Sequence, residues 1–510
     1  MKRKKRKKDI VSEYPPYKPG WSGSSRVRRD HLPPPSMTRL YIGLLLCVSA
    51  SSELAYDAYP NTNAAYNLDT GSRSLGPTAS TAFYKALGAT SSLDACVSAS
   101  ASWRNASSPT DRCLTAVWLR QPSNATFLHT CWCMQQPKWI PVADQSADSA
   151  RLLWPCASDS DCSLNGECGT NGSCVCDPGW RGLRCGELYL GPVDRGSPGL
   201  REVNSTTGSN VSTWGAPMLL DSDTGVWHAW ASEMVNECGL NSWRSNSQLV
   251  HATAAAPGGP WVRQGVVQSV FAHEADVVRG PSGEWVMVWS AYGLPNASDR
   301  CTNCSQGTTS PLYPRGGCGP NAMHPFKQMM AVANNPNGPW TAFEIPKLST
   351  GWDWNLAIAI RGDGSAVGLI RAGMVWSAKQ YANASSWEAV GGDPEGPGLP
   401  DNDNVEDPFL WMDKKGRFHA IFHNMEPSTH QTSYCGIHAF SDGGDVWTSG
   451  GWAYGDAIIF TDGTNFSFSR RERPHLLFKE DGTPLALSNG AQFGGVYGDG
   501  VFTLVQPIVT

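Results

Sequence analysis

Five segments in the C-terminal two-thirds of the chain share one arrangement of polar and apolar positions. Each has a polar or Pro-containing lead-in, three or four apolar residues, a tight turn ending in Gly, and a second apolar run. They are residues 216–232 (APMLLDSDTGVWHAWAS), 274–291 (EADVVRGPSGEWVMVWSA), 355–372 (NLAIAIRGDGSAVGLIRA), 407–424 (DPFLWMDKKGRFHAIFHN) and 473–490 (RPHLLFKEDGTPLALSNG). Apolar runs of this length, bounded by turn residues, read as strands. The turn glycines Gly225, Gly283, Gly364, Gly416 and Gly482 are separated by 58, 81, 52 and 66 residues. That period fits four strands plus loops per unit and predicts a mainly β chain with a five-bladed β-propeller over residues 190–510. Equivalent positions of all blades then face one axis, so the repeat predicts which distant residues share a site.

Upstream, cysteines set the pattern. Cys156-x5-Cys162-x5-Cys168-x5-Cys174-x-Cys176-x8-Cys185, with Asp177-Pro-Gly179-Trp180-Arg-Gly182 in the last loop, resembles an EGF-like module over residues 156–186. Spacing alone leaves many connectivities open. The resemblance implies Cys156–Cys168, Cys162–Cys174 and Cys176–Cys185. A segment this short buries no core of its own, so bridges hold it by restricting the unfolded chain. The Asp/Asn pattern of calcium-binding EGF modules is missing before Cys156, and no calcium is expected there. Residues 65–155 form a small disulfide-rich module, with a helix start at 91–96 and strands at 113–119 and 127–133. Its cysteines, Cys96, Cys113, Cys131 and Cys133, resemble the pattern of apple/PAN-type modules, which bind proteins or glycans; a disulfide-held spacer is the alternative. Residues 51–64 read as a linker. The propeller keeps Cys238, Cys301, Cys304, Cys318 and Cys435, an odd number that leaves one buried thiol or a bridge to another chain. Cys301-x2-Cys304 with Cys318 lacks a fourth ligand at zinc spacing, so neither metal nor cofactor is expected.

Charge is divided along the chain. Residues 1–36 hold eleven Lys/Arg and three acids, a net of +8 within a total of -5. The remainder is acidic, which argues against nucleic acid as a partner. The run KRKKRKK is a nuclear-signal or polyanion-arm pattern, but the apolar stretch 40–48 and the small residues Val48-Ser49-Ala50 suit a secretory signal. Residues 1–50 are therefore expected to be a basic arm with a signal peptide, or a signal anchor with the arm in the cytosol. Nine Asn-X-Ser/Thr sequons (Asn105, Asn124, Asn171, Asn204, Asn210, Asn296, Asn303, Asn383, Asn465) and sixteen Cys agree with an oxidising, extracellular setting.

Candidate chemistry sits at the lead-ins of the five repeats. These are Trp214-Gly-Ala216-Pro217, His273-Glu274-Ala275-Asp276, Asp353-Trp354-Asn355-Leu356, Glu406-Asp407-Pro408, and Arg470-Arg471-Glu472-Arg473-Pro474-His475. The runs behind them are apolar, so acids, arginines, histidines and tryptophans collect where the blades converge. Ring-closing bonds between blades are the plain alternative for any one of them.

Glu406-Asp407-Pro408-Phe409-Leu410-Trp411, and Arg471-Glu472-Arg473-Pro474-His475 followed by Asp481-Gly482, resemble five-bladed propeller glycoside hydrolases of the arabinanase/β-xylosidase type. The likeness is to a divergent, EGF-bearing branch and covers roughly residues 210–508. It implies Glu472 as general acid and Asp407 as the carboxylate that orients and tunes it. The base Asp of the first repeat is replaced by Ala216; Glu274 substitutes by chain order, with Asp353 and Asp276 behind it. Arginines beside Glu472 oppose an acid role if they point at it.

The sequence thus predicts a secreted or surface glycoprotein acting on polysaccharide, with Glu472, Asp407 and Glu274 catalytic. Substrate contacts would come from His273, Trp354, Asn355, Glu406, Arg471, Arg473, His475 and Trp214. The alternatives are a lectin-like propeller and an adhesion or matrix protein binding other extracellular proteins. In the lectin reading Trp214, Trp354 and Trp411 stack on sugars, and Arg471, Arg473 and His273 bind uronate or sulfate.

Overall fold

The computed structural model describes residues 155–200, 211–236, 238–292, 325–390, 405–425, 435–493 and 501–510 with their side chains, residue 241 apart; elsewhere it describes only short strands and a few single residues. Residues 1–54 and the cysteines Cys301, Cys304 and Cys318 lie outside the described residues.

Five antiparallel sheets of four or five strands form the propeller. Blade I runs Met218–Asp221, Val226–Met234, Ser247–Ala254 and Val262–Gln268. Blade II is Ala272–Arg279, Trp285–Ala291, Lys327–Ala333 and Thr341–Glu344. Blade III is Ala357–Ile360, Ala366–Leu369, Val375–Ala378 and Trp387–Ala389. Blade IV is Val405–Met412, Phe418–Asn424, Gly436–Ser441 and Thr448–Tyr454. Blade V takes Arg470–Phe478, Pro484–Gln492 and Val501–Pro507 from one part of the chain and its outer strand, Gly199–Leu200, from another. That borrowed strand closes the ring, with Leu200 opposite Thr503. Gly199 is required there: a side chain would meet the Thr503 carbonyl at 2.3 Å.

The five predicted turn glycines all join the first two strands of their blades, each in the left-handed region (φ 71° to 87°) that a Cβ disfavours. Separate apolar cores seal the seams between blades, such as Trp230, Trp285 and Trp289 between I and II, and Leu410, Phe422 and Val367 between III and IV.

The seam between blades IV and V includes another part of the chain. The expected bridges Cys156–Cys168, Cys162–Cys174 and Cys176–Cys185 are all formed. This small module inserts Trp180 and Leu188 into the core of Phe409, Ile421, Tyr454, Leu476 and Leu487. Trp411 stacks toward Trp180 at 6.3 Å, so it faces the module and not a sugar. Behind them, His419 Nδ1 lies 3.2 Å from His438 Nε2, which also meets Asn165 Nδ2 at 3.3 Å. Arg417 donates to the Leu164 carbonyl (2.8 Å) and to Asp413 (2.7 Å). Gly186 and Gly450 touch backbone to backbone, and a Cβ on Gly450 would lie 2.1 Å from His438 Nδ1. The module is thus a wedge built into the propeller, on the side of the turn Asp413–Gly416. Cys435 is a buried thiol in the same seam, and burial raises its pKa.

Before residue 155, a five-stranded sheet has the order Ala55–Tyr59, Ala147–Leu153, Thr115–Leu119, Thr130–Met134, Tyr84–Ala89. The two expected strands pair with each other. The expected linker instead supplies the edge strand Ala55–Tyr59, paired to Ala147–Leu153.

Two outcomes test the wedge. Gly450→Ala overfills the space beside His438 and lowers stability by about 1–3 kcal/mol, read from chemical denaturation. Burial holds His438 far below its ordinary 6.5, and His419 below it too. The folded joint keeps both neutral, whereas the unfolded chain binds protons as pH falls through that value, so this stability is present above it and lost below. The fall in melting temperature between about pH 7.5 and pH 5 is therefore smaller in His438→Gln than in the parent.

Candidate functional site

The repeat places one residue per blade at the axis, just before the inner strand's apolar run. These are Gly215, Glu274, Asn355, Asp407 and Arg473, and all five have positive φ, from 52° to 64°. In blades II, IV and V the strand pairing skips at this point, between His273 and Asp276, Glu406 and Phe409, and Glu472 and His475. A bulge of this kind turns the side chain toward the axis. Four of the five are not glycine, and such strained positions cluster at functional sites.

The ring is joined by one guanidinium. Arg473 Nη1 lies 2.8 Å from Glu274 Oε2 and 3.3 Å from Asp407 Oδ1. Asn355 Nδ2 donates to the same Asp407 oxygen at 2.5 Å. Blade I contributes no side chain because Arg473 occupies its place: a Cβ on Gly215 would sit 2.6 Å from that of Arg473. Burial alone would lower the Arg473 pKa, but Glu274, Asp407 and Asp353 raise it, so the buried cation keeps its charge. Burial raises the Glu274 carboxyl, and Arg473 pulls against that rise.

Beside the ring stands a second cluster. Glu406, Asp407, His423 and Glu472 bring ligand-type atoms within 4.8 Å of one another. His423 Nε2 is 3.7 Å from Glu472 Oε1, and its Nδ1 is 3.3 Å from Glu406 Oε1. Burial lowers the His423 pKa although Glu472 and Asp407 raise it. The donor types suit a cation, but three guanidinium groups already balance these carboxylates. Glu406 pairs with Arg371, Asp407 with Arg473, and Glu472 with Arg470, whose Nε and Nη2 reach its two oxygens at 2.7 and 3.0 Å. The arginine beside the candidate acid thus points at it.

The other expected site residues divide between axis and core. His273 lies against Glu274 Oε1 (3.3 Å), bonds Ser247 Oγ (2.6 Å) and stacks on Trp243. Burial, with Arg473 adding to it, lowers its pKa to about 3, so it is a neutral support and no anion receptor. Asp353 accepts from Ser290 Oγ at 2.7 Å, and burial raises it to about 6. Asp276 accepts from the Ile358 amide and faces His475 at 3.7 Å; burial raises it to about 7 and lowers His475 to about 3. Arg471 is structural: it donates to Asn489 and Gln506 of blade V and to the Gly455 carbonyl just after blade IV. Trp214 is buried against Gly490, Met234 and Leu240, with its faces covered. Trp354 is half-buried and donates to Thr350 Oγ1.

Sequence reasoning missed His423 and Arg371. His423 could have been found from strand pairing, since it stands directly opposite Glu406.

No protein-family profile matches the chain, and no curated protein matches it in sequence. Solved structures do resemble it. The GH43 protein BlXynB from Bacillus licheniformis aligns at 14% identity and TM-score 0.36, over 58% of this chain and 53% of that one. An exo-beta-1,3-galactanase from Phanerochaete chrysosporium aligns at 12% identity and TM-score 0.36, over 60% and 64%. The catalytic domain of a GH62 alpha-L-arabinofuranosidase from Coprinopsis cinerea aligns at 10% identity and TM-score 0.40, over 61% and 95%. The chain thus spans about half the length of BlXynB.

Removing the central cation tests the ring. Arg473→Met leaves Glu274 and Asp407 buried without it and is expected to cost about 3–5 kcal/mol in equilibrium unfolding.

Proposed function

We propose that this protein is a secreted or surface-displayed glycoprotein whose propeller cleaves glycosidic bonds of a polysaccharide at the axial site. The observation that carries this is the meeting of Glu274, Asp407 and Glu472, from three blades, around Arg473 and His423. Cleavage of this type needs one carboxyl that gives a proton to the leaving oxygen and another that takes one from water. In this reading Glu472 is the acid and Glu274 the base. Asp407, fixed by Asn355 and Arg473, orients the acid and the sugar. Burial gives the two working carboxyls surroundings unlike water, the condition under which their proton affinities separate. Sequons at Asn171, Asn383 and Asn465 place their asparagines on the surface, and the three bridges of the wedge suit an oxidising compartment.

A second reading, binding without cleavage, is favoured by one observation. Arg470 grips both oxygens of Glu472, which favours the charged form of the proposed acid.

A panel of plant- and algal-type polysaccharides incubated with the full chain separates the two. Product release by the parent, reduced about 10²–10⁴-fold in Glu472→Gln with binding retained, is the expected result. Binding without product in the parent overturns hydrolysis in favour of a lectin.

A further inference from the structure

The carboxylates of the axial site lie behind a partial rim of cations. Side chains of Glu274, Glu406, Asp407 and Glu472 are no more than 8% exposed, whereas Arg470 is 19% and Arg371 43% exposed. Arg470 covers the candidate acid: its fork holds both Glu472 oxygens, and its guanidinium carbon lies 5.4 Å from the buried ring of Trp214. Among the described residues, the more exposed charged groups paired to this carboxylate cluster are guanidiniums.

We propose that the site takes an anionic polysaccharide, bearing carboxylate or sulfate groups, and that Arg470 determines this specificity by leaving Glu472 for an anion on the glycan. The inference rests on the hydrolytic reading above for its catalytic part. A carboxylate that accepts two guanidinium bonds stays charged, and a charged Glu472 has no proton for a leaving oxygen. Carboxylate and sulfate groups match the same fork, so either competes with Glu472 for Arg470. Once Arg470 turns to the glycan, Glu472 loses that pair and stays buried beside Glu406, Asp407 and the neighbouring His423. Burial and neighbouring negative charge both favour its protonated form, the proton coming from solvent. Glu472 then passes that proton to the glycosidic oxygen as the bond to the anomeric carbon breaks. Water adds to that carbon and gives its proton to Glu274. A neutral glycan has nothing to hold Arg470 away, so Glu472 stays paired and cleavage is slow.

The test uses matched chains: polygalacturonate against its methyl ester, and a sulfated galactan against its desulfated form. Binding to the full chain is read by calorimetry and cleavage by release of reducing ends. In at least one pair the anionic member binds about tenfold more tightly and is cleaved faster. R470Q loses that preference and R470K keeps most of it. In R470Q the alkaline limb of the kcat/KM profile for the neutral member moves to higher pH, which a merely structural arginine does not produce. Equal handling of both members by the parent, or a preference that survives R470Q, overturns the proposal. Anionic preference in binding without any cleavage overturns the hydrolytic reading and leaves the cationic specificity standing; cleavage without preference does the reverse.

Discussion

The charge of Arg473 at the propeller axis organises what surrounds it. A buried guanidinium is costly unless paired, and this one has its charge balanced by Glu274 and Asp407, which blades II and IV deliver to its Nη1. Each of those carboxylates depends on a residue in the left-handed region at the same place in its blade. The missing side chain of blade I belongs to the same arrangement, since Gly215 yields its volume to Arg473. Ring closure and site geometry are therefore one constraint.

The three-bridge module shows how far a small module depends on its neighbour. Its own core is slight, and Trp180 is buried only because blades IV and V receive it. Beside the neutral pair His419 and His438, the close contact of Gly186 with Gly450 leaves no room for a side chain at either glycine. A small three-bridge module reads from sequence as a spacer, but its contacts make it part of the propeller's structure. It sits by the turns that join inner strands, whereas the carboxylate cluster lies at the opposite ends of those strands.

Much of the architecture was legible in the sequence because it depends on local chemistry. Glycines at the five turns and apolar runs on either side of them are signals that each blade carries within about twenty residues. The cysteine spacing was equally local. Legibility ended where a residue's role depended on which neighbour arrived from far away. Arg471 and Arg473 look alike in sequence and would share one face of a regular strand, yet the bulge between Glu472 and His475, with Arg473 in the left-handed region, sends one into blade V and the other to the axis. Trp411 could be assigned to the module only after blade IV and the module met. The linker at 51–64 carried too little apolar pattern to reveal the strand Ala55–Tyr59, whose pairing lies almost a hundred residues downstream.

Blade V is assembled from both ends of the propeller sequence, since its third strand, Val501–Pro507, lies far downstream of its outer strand, Gly199–Leu200. Until that strand leaves the ribosome, Gly199–Leu200 has nothing to pair with and the seam with blade I stays open. Synthesis is slow relative to strand pairing. The strands of blades I to IV all precede, in chain order, the strand that lets the ring close. The completed axial site depends on Val501–Pro507, and a stop codon shortly before Val501 removes it as surely as a mutation within it.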